Sequence, residues 1–435
     1  MLDYSKLIGK RLLILGCTMD DCQIVRTAQK LGVYVIVTDN HMDWNLAPAK
    51  LIADEAWDIS WADLPKLKEC ALSAGVNGIM AGYDERRIKL AIELSKEIGT
   101  PFYAEDVDVL QRTFNKQLFK DICREFNVPV TKDYYQNNVD FEIWSHDVIF
   151  PVVVKPIDNG GSAGIRTSYN KDDLKEDIKY ALSFSNESTV IVEELIRKAQ
   201  EVVIYYTIAE GEVVLSAMCD KYERVVTDGF NSLPDAYVYP SIHMQEFIEK
   251  HNDDVVKALK SMGMRNGSAN LQGFYTSDGR FVFFEMDFRP GGTNTYHFTD
   301  FFSGENYLKM MIHYSLTGEA DKEELTKADP CFDHSIGCIF TLLSKDGVIT
   351  KQMGKEEVDT WSNVLYSCFY HPIGKKIEVN GSQVPKTFRA YIVGKSIEDV
   401  KETITKIQST IKVLDEKGND MLFEPFDVGR LVSPI

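Results

Sequence analysis

Two acidic side chains and two amides are spaced so that one β-hairpin would bring them together. Asp278-Gly279 is the dipeptide most typical of a two-residue hairpin turn. With that turn, Gln272 lies opposite Glu285 and Asn270 opposite Asp287, and all four share one face because side chains alternate along a strand. Neighbouring carboxylates repel unless a cation or a proton intervenes, and oxygen ligands of this kind suit magnesium carried by a nucleotide. The spacing therefore predicts a metal site at the open end of the hairpin.

The prediction depends on the length of the turn. A two-residue turn also places Phe274 opposite Phe283, whereas a turn of three residues would shift the register and separate the acids from the amides. The alternative interpretation of the polar cluster is an ordinary solvated hairpin end.

An arginine follows the acids at once, in the segment Arg289-Pro290-Gly291-Gly292. A guanidinium beside two acids suits stabilisation of a transferring phosphoryl group or recognition of a carboxylate. The alternative is an ordinary salt bridge to Asp287 or Glu285, which is compatible with the functional role.

A lysine that enters a glycine-rich segment forms a second candidate site. The apolar run 152–154 leads to Lys155 and Pro156, and the segment 157–164 then reads IDNGGSAG. Small residues allow main-chain N–H groups to surround phosphate oxygens, and a lysine adds a positive charge. The pattern is not the GxxxxGK[ST] phosphate loop. Alone, it is equally compatible with a hairpin tip and a solvated lysine.

A third candidate is the apolar run 190–196, which is interrupted by Glu193 and Glu194 and followed by Glu201. The end of such a strand offers main-chain groups to an adenine edge, and a carboxylate can bind ribose hydroxyls. Strands often end in glutamates, so this pattern gains meaning only together with the others.

The elements that would position these residues begin with an alternation of strands and helices. The pattern predicts strands at Arg11–Leu15, Val33–Val37, Gly78–Met80 and Thr100–Tyr103, and helices at Asp21–Leu31, Leu64–Ala74 and Glu85–Ile98. Such an alternation is typical of a parallel, doubly wound sheet. The turn after the first strand, from Gly16 to Asp21, lacks the GxGxxG pattern, which argues against a dinucleotide-binding oxidoreductase. Without these glycines, we expect Asp39, at the end of the second strand, to have a loop or cap role rather than to bind ribose.

The predicted pattern of strands and helices changes twice after these elements. From about Thr113 to about Gly318, longer strands are joined by hairpins, and a short mixed module follows. We predict a fold of the α/β and α+β classes with a Rossmann-like domain at residues 1–112, a two-lobed domain at 113–330 whose lid lobe covers about 128–200, and a small C-terminal α+β domain at 331–435. In the last domain, Ser396 and Asp399 form a capping-box pattern at the start of a helix.

Composition restricts the partners of the protein. The 435 residues include 48 Lys and Arg against 66 Asp and Glu, a formal net charge of −18. This charge repels a nucleic-acid backbone, although one cleft with lysines and main-chain amides can still bind phosphate. No apolar run reaches the roughly 18 to 20 residues of a membrane span, no signal-peptide pattern is present, and the eight cysteines lack metal-binding spacing. We expect a cytoplasmic protein with reduced thiols and with neither nucleic-acid nor membrane partners.

In this order and spacing, the motifs resemble the ATP-grasp superfamily, and especially its carboxylate-amine ligase branch. That branch includes the L-amino acid ligases and the halves of the carbamoyl phosphate synthetase large subunit. The order is a lysine on a helix, the strand-Lys-Pro-glycine segment, the Glu-Glu pair, a later Glu, and Gln…Glu-x-Asp-x-Arg-Pro-Gly-Gly. The resemblance implies a Rossmann-like pre-ATP-grasp domain, a two-lobed ATP-grasp domain and a small C-terminal domain.

The resemblance also implies residues that bind ATP and magnesium. They are Lys116 and Lys155 at the phosphates, Gly160, Gly161, Ser162 and Gly164 in a loop that closes over them, Glu193, Glu194 and Ile196 at the adenine, Glu201 at the ribose, and Gln272, Glu285 and Asp287 at Mg²⁺. The superfamily commonly has Asn at the last of these positions, so Asp287 leaves the number of magnesium ions, one or two, open. A plain solvated lysine is the alternative for Lys116.

Further residues are implied at the substrates. Arg289 and Gly292 match the segment that binds the substrate carboxylate and the developing phosphoryl charge, which makes Arg289 and Lys155 the catalytic residues. Asp84 and Glu85 lie where the ligases hold an acid facing the amine, the alternative being acids that merely flank a helix N-terminus. The implied reaction joins a small-molecule carboxylate to an amine through an acyl phosphate, with a homodimer as a candidate assembly. Phosphorylation of bicarbonate and a non-catalytic ATP-binding regulator stay open as alternatives.

Overall fold

The computed structural model describes residues 1–135, 140–157, 164–185, 188–225, 232–379 and 384–434. The chain begins with four short strands and four helices: β1 Arg11–Leu15, α1 Asp21–Lys30, β2 Tyr34–Thr38, α2 Pro48–Ile52, β3 Glu55–Trp57, α3 Leu64–Ser73, β4 Gly78–Met80 and α4 Glu85–Ile98. The strands form one parallel sheet in the order β3-β2-β1-β4. The predicted parallel sheet is therefore confirmed.

Local sequence explains where α4, which carries two of the predicted site residues, begins and ends. The Asp84 side chain accepts hydrogen bonds from the N–H groups of Arg86 and Arg87, so it caps the helix. Gly99 ends the helix with a φ of 73°, in the left-handed region that favours glycine. The apolar positions Ile88, Ala91 and Ile92 are buried against the parallel sheet. The predicted limits of α4 are confirmed.

The strand predicted at Thr100–Tyr103 is wrong. This segment belongs to no strand of the described sheets, although Phe102 and Tyr103 are buried. The Tyr103 ring lies 5.4 Å from the ring of Phe288 in an edge-to-face contact. Burial of an apolar segment was thus mistaken for strand pairing, because both produce the same run of large side chains.

A small antiparallel sheet follows, within the region predicted as the lid lobe. Its elements are α7 Phe141–Trp144, β5 Val152–Pro156, β6 Arg166–Ser168, α8 Lys171–Leu182 and β7 Val190–Glu194, and they are preceded by α5 Val107–Phe114 and α6 Lys116–Glu125. The strands pair in the order β6-β5-β7. Val152, Val154, Val190 and Val192 form its core together with Leu174 of α8.

The remaining elements run from residue 200 to residue 414. Its next elements are β8 Gln200–Ala209, β9 Glu212–Val225, β10 Ser232–Tyr239, α9 Met244–Phe247, α10 Asp253–Ser261, β11 Gly267–Tyr275, β12 Phe281–Phe288, α11 Tyr296–Phe302 and α12 Tyr307–Thr317. The last are β13 Ile336–Leu343, β14 Gly347–Val348, β15 Lys351–Met353, α13 Lys355–Val358, β16 Val364–Phe369, β17 Lys376–Ile377, β18 Lys386–Gly394, α14 Ile397–Thr410 and β19 Lys412–Leu414.

One antiparallel sheet crosses the predicted boundary at residue 330. Its eight strands lie in the order β12-β11-β8-β9-β10-β13-β18-β16. The strand β10 pairs with β13, with Ala236 opposite Phe340, so the C-terminal segment extends the central sheet. The predicted capping box of Ser396 and Asp399 is present at the start of α14. Within the described residues, no helix is both long and apolar enough to cross a bilayer.

The β11–β12 hairpin contains the predicted polar pairs, but for a different reason. Asn270 pairs with Asp287 and Gln272 with Glu285, as expected. Near the turn, however, Phe274 lies opposite Val282, so the predicted pair of Phe274 and Phe283 is wrong.

The turn of this hairpin has three residues rather than two. The N–H of Thr276 donates to the carbonyl of Arg280 over 2.9 Å, which leaves residues 277–279 in the loop. A β-bulge then adds Phe284 to β12, because Gln272 pairs with Glu285 while Gly273 pairs with Phe283. A bulge places two residues opposite one. The bulge therefore compensates for the register shift that the longer turn causes, so that Glu285 and Asp287 lie opposite Gln272 and Asn270.

Candidate active site

The hairpin residues open into a cavity of about 290 Å³ that collects charged side chains from four parts of the chain. Its lining includes Glu85 from α4, Lys221 and Tyr237 from the central strands, Asn270, Gln272, Glu285, Asp287, Arg289, Gly291 and Gly292 from the hairpin and the loop after it, and Lys386 and Arg389 from β18. The predicted metal-binding acids, the predicted substrate arginine and one predicted substrate acid therefore share one cavity.

The hairpin acids are each paired with one cation. Lys116 Nζ lies 3.4 Å from Glu285 Oε1, and Arg289 Nη2 lies 2.9 Å from Asp287 Oδ2. Burial opposes ionisation of Glu285, but Lys116 and Lys155 outweigh it and hold the pKa of Glu285 below its usual range. For Asp287 burial dominates, and the pKa is raised despite Arg289. The pKa values of these two adjacent carboxyl groups are shifted in opposite directions, and an added cation would stabilise the ionised form of both.

The donor set suits a hard cation. Asn270 Nδ2 donates to the carbonyl of Arg289 over 3.2 Å, which leaves Asn270 Oδ1 buried without a hydrogen-bond partner among the described residues. Within the same described part of the chain, no site gathers three or more His, Cys, Asp or Glu. Two carboxylates with amide oxygens from Asn270 and Gln272 therefore fit Mg²⁺ better than a metal that prefers nitrogen or sulfur ligands.

Lys155 ends β5 and belongs to a buried ionic cluster that adjoins the hairpin. Its Nζ forms an ion pair with Glu193, which also receives Lys120 and a 2.6 Å hydrogen bond from Thr131 Oγ1. Lys120 in turn pairs with Asp133. Burial opposes the charge of Glu193, but the two lysines outweigh it and lower the pKa of Glu193 to about 2. The Glu193 carboxylate therefore holds both ammonium groups in place.

The other residues predicted to bind ATP are distributed along the same strands. Glu194 Oε1 accepts a 2.9 Å hydrogen bond from the N–H of Lys132, and Ile196 lies half-buried just beyond β7. Glu201 lies on β8, where its Oε1 is 2.8 Å from Lys221 Nζ. Burial raises the pKa of Glu201 to about 7, against the opposing effect of Lys221.

Part of the predicted glycine loop falls outside the described residues. Gly160, Gly161 and Ser162 lie there, so the predicted closing loop is untested. Gly164 is described and has a φ of 79°, and a Cβ at this position would stand 2.9 Å from the Cβ of Phe184. Glycine is therefore required where the chain leaves this loop.

The two predicted acids of α4 have different surroundings. Asp84 caps the helix and contacts Arg86, whereas Glu85 lines the cavity. Burial and the nearby Asp287 raise the pKa of Glu85 to about 7. Between the two, Glu85 alone borders the hairpin acids, and Asp84 has the structural role that the alternative interpretation described.

Sequence reasoning missed four charged residues of this region, namely Lys120, Lys221, Lys386 and Arg389. Lys120 lies four residues after Lys116 on α6, and this spacing, which places both on one helix face, was an available signal. Lys386 and Arg389 lie on β18, about a hundred residues after the hairpin. No local motif indicates them, since only the pairing of β10, β13 and β18 brings β18 into the sheet.

The parallel-sheet region and the large antiparallel sheet both contribute residues to one charged cavity, and the small antiparallel sheet approaches the hairpin where Lys155 Nζ lies 5.5 Å from the centre of the Phe284 ring. Residues 123–311 match the family model described as the C-terminus of D-Ala–D-Ala ligase. The structure is similar to that of the L-amino acid ligase from Bacillus licheniformis, with a TM-score of 0.74, 16% identity, and coverage of 94% of this chain and 99% of that chain. The resemblance to the ATP-grasp superfamily is confirmed, and the chain has the ATP-grasp fold.

Two further comparisons extend the likeness. The biotin carboxylase domain of Hydrogenobacter thermophilus 2-oxoglutarate carboxylase, whose dimer was crystallised with MgADP, ADP and bicarbonate, has a TM-score of 0.76 at 16% identity, over 93% of this chain and 91% of that chain. The carbamoyl phosphate synthase large chain of Corynebacterium glutamicum is 23% identical over 368 residues, which cover 77% of this chain. The match spans only 32% of that protein.

Proposed function

We propose that the chain is an ATP-dependent ligase that activates a substrate carboxylate as an acyl phosphate and joins it to an amine. ADP and phosphate would be the other products. The observation that carries the proposal is the cavity in which two carboxylates, two amides and Arg289 adjoin the buried lysines Lys116 and Lys155. Oxygen ligands for a metal and cations for phosphate are the parts that phosphoryl transfer requires.

The residues present fit a magnesium nucleotide. Glu285 and Asp287 would hold Mg²⁺ with the amide oxygens of Asn270 and Gln272, one of which lacks a partner. Bound Mg²⁺ would neutralise phosphate charge. Lys116 and Lys155 would bind phosphate oxygens, and their fixed positions depend on Glu285 and Glu193 respectively. Main-chain groups beyond Glu194 and the carboxylate of Glu201 would bind the adenine and the ribose.

In the first step, a carboxylate oxygen of the substrate forms a bond to the γ-phosphorus of ATP as the bond from that phosphorus to the β-phosphate oxygen breaks. Arg289 lies beside Asp287 and stabilises the charge that develops on the transferred group. In the second step, the amine nitrogen attacks the carbonyl carbon and phosphate leaves. Glu85, which lines the same cavity and has a pKa raised to about 7, accepts the proton that the amine loses.

The test is release of ADP with magnesium-ATP and a panel of carboxylates and amines, with hydroxylamine added to trap an acyl phosphate. We expect Glu285→Ala to lower turnover at least about a hundredfold, because it removes a buried oxygen ligand and the partner of Lys116. Glu246→Ala is the matched control, since Glu246 pairs with Lys250 outside the cavity. An unaffected rate in Glu285→Ala would refute the metal assignment.

The same panel separates the alternatives. Stimulation by bicarbonate alone would indicate a carboxylase-like enzyme, and ATP binding without turnover for any acid would indicate a regulator. The cytoplasmic location and the homodimer also stay proposals, which fractionation and sedimentation would test.

A further inference from the structure

Two cations of the cavity form no ion pair with a carboxylate among the residues that the structure describes. Of its four positively charged residues, Lys221 pairs with Glu201 at 2.8 Å and Arg289 with Asp287 at 2.9 Å. Arg389 and Lys386 have no ion pair within the described ranges of the chain. They lie three residues apart on β18, and both line the cavity.

Arg389 is held rigidly, although it is not neutralised. The residue is 2% exposed, its Nη1 donates to the carbonyl of Gly292 over 2.7 Å, and its Nε donates to Thr341 Oγ1 over 3.3 Å. The guanidinium also lies 5.2 Å from the centre of the Tyr370 ring. These contacts occupy some of the N–H groups of the Arg389 guanidinium and fix its plane beside the loop that carries Arg289. In the described part of the chain, no carboxylate accepts a hydrogen bond from the remaining N–H groups of Arg389.

The neighbouring carboxylate Asp20 does not form an ion pair with Arg389 or Lys386. The carboxylate that acts on both cations is Asp20, which accepts hydrogen bonds from Tyr370 at 3.2 Å and Asn294 at 3.5 Å and makes no ion pair with either cation. Burial and the neighbouring Arg389 lower the pKa of Lys386 to about 8. A buried cation without a counter-ion is costly, so a protein that keeps two of them side by side in a cavity has a use for an anion there.

We propose that Arg389 and Lys386 form a second anion subsite, so that the substrate of this cavity carries a non-reacting carboxylate or phosphate in addition to the carboxylate that Arg289 receives. The inference rests on the proposed function for the identity of the reacting group. It makes β18, through two residues outside the hairpin motif, a determinant of specificity. A guanidinium fixed by Gly292 and Thr341 would orient the distal anion and thereby the reacting end.

The test compares glutarate, its monoamide and 3-phosphonopropionate as acids in the ADP-release assay. We expect the best dianion to exceed the monoamide at least tenfold in kcat/KM, because a charge-assisted hydrogen bond discriminates by about this factor. Arg389→Met and Lys386→Met should each bring the ratio toward one by raising the KM of the dianion. Preference for glutarate or for the phosphonate would identify the distal group as a carboxylate or a phosphate. Equal use of dianion and monoamide by the unmodified protein would overturn the proposal.

A stability measurement separates recognition from a structural role. Since Lys386 has no carboxylate partner to leave behind, Lys386→Met should raise the melting temperature of the ligand-free protein while it weakens the response to the dianion. A lowered melting temperature with unchanged selectivity would show a merely structural lysine and overturn the proposal. Arg112→Met is the control for Arg389→Met, because Arg112 likewise donates to a main-chain carbonyl, that of Met262 at 3.1 Å, away from the cavity.

The design also distinguishes failure of the proposed function. If no acid stimulates ADP release, the ligase proposal fails, but the dianion should still raise the melting temperature of the unmodified protein and not that of the two β18 variants. Absence of that difference would refute the subsite independently of turnover.

Discussion

Replacement of Glu193 by Gln is the sharpest test of the buried ionic cluster. Glu193 is 4% exposed and lies at the end of β7, where it receives Lys155 from β5, Lys120 from α6 and Thr131. Glutamine keeps the size and an acceptor oxygen but removes the charge. Two buried ammonium groups would then lose their shared carboxylate, and only Lys120 would keep another, in Asp133.

The expected cost follows from the titration of Glu193. A pKa lowered from 4.5 to about 2 corresponds to about 3 kcal/mol of stability, at about 1.4 kcal/mol for each pH unit. Because the folded-state pKa is depressed, this contribution is present above pH 4.5 and is lost as the pH falls toward 2. The figure agrees with the roughly 3 to 5 kcal/mol that removal of one partner of a buried ion pair costs.

Native-state hydrogen exchange of the amides of β5 and β7 at pH 7 measures this cost where it acts. We expect roughly hundredfold faster exchange in Glu193→Gln, the equivalent of about 3 kcal/mol. Glu194→Gln is the matched control, because the neighbouring Glu194 is half-buried and accepts one main-chain N–H. Its loss should stay near about 1 kcal/mol. Lys155→Met added to Glu193→Gln should recover part of the loss, because Lys155 is the cation that Glu193→Gln leaves without an ion pair among the described residues.

Two outcomes would refute this reasoning. Exchange in Glu193→Gln within threefold of the unmodified protein would show that the carboxylate does not hold the lysines. An equal effect of Glu194→Gln would show that the exchange reports the strand end in general rather than the ion pairs.

Burial raises the pKa of Asp220 to about 6, so ionisation of this carboxyl destabilises the fold as the pH rises from about 4 to about 6. The free energy of unfolding of Asp220→Asn, measured in urea, should therefore gain about 3 kcal/mol relative to that of the unmodified protein between pH 4 and pH 7. A difference that does not change with pH would contradict this. Gly273→Ala should unfold at least about 2 kcal/mol more easily, because its Cβ would stand 2.4 Å from Phe283 beside the bulge, and ADP release should fall with it. Gly292→Ala has open space at its Cβ and should melt within about 1 °C of the unmodified protein, and a large loss there would show that the loop is packed differently.

The hairpin shows how far sequence reasoning reached. Alternation along two strands brought Asn270, Gln272, Glu285 and Asp287 together in the pairs that the structure shows, because the two strands are consecutive in the chain. The length of the turn was wrong, and the bulge at Phe284 compensated for it. A bulge depends on how β12 packs against its neighbours, among them the bridge from Val130 to Phe283, and no pattern within the hairpin reports that packing.

The remaining site residues show a different limit. Lys155 and Arg289 could be proposed from the sequence because each lies in a segment whose own composition is unusual, and their roles stay predictions. Arg389 lies in an ordinary strand, and its role arises only because β18 joins the central sheet through β13. Glu193 was placed at the adenine by its position at the end of a strand, yet its side chain points to two lysines. Long-range pairing and side-chain direction therefore determine the part of the site that motifs do not contain.

Two of the acidic residues would support the proposed phosphate binding rather than oppose it. Burial, together with the nearby Lys120 and Lys116, lowers the pKa of Lys155, and Glu193 acts against that loss of charge. Glu285 has the same effect on Lys116, whose pKa is raised in spite of burial. Each carboxylate therefore favours the charged form of a buried lysine and holds that lysine near the proposed phosphate site. The net charge of −18 sums over the whole chain, whereas the local pairing of acids and lysines determines whether a polyanion can bind.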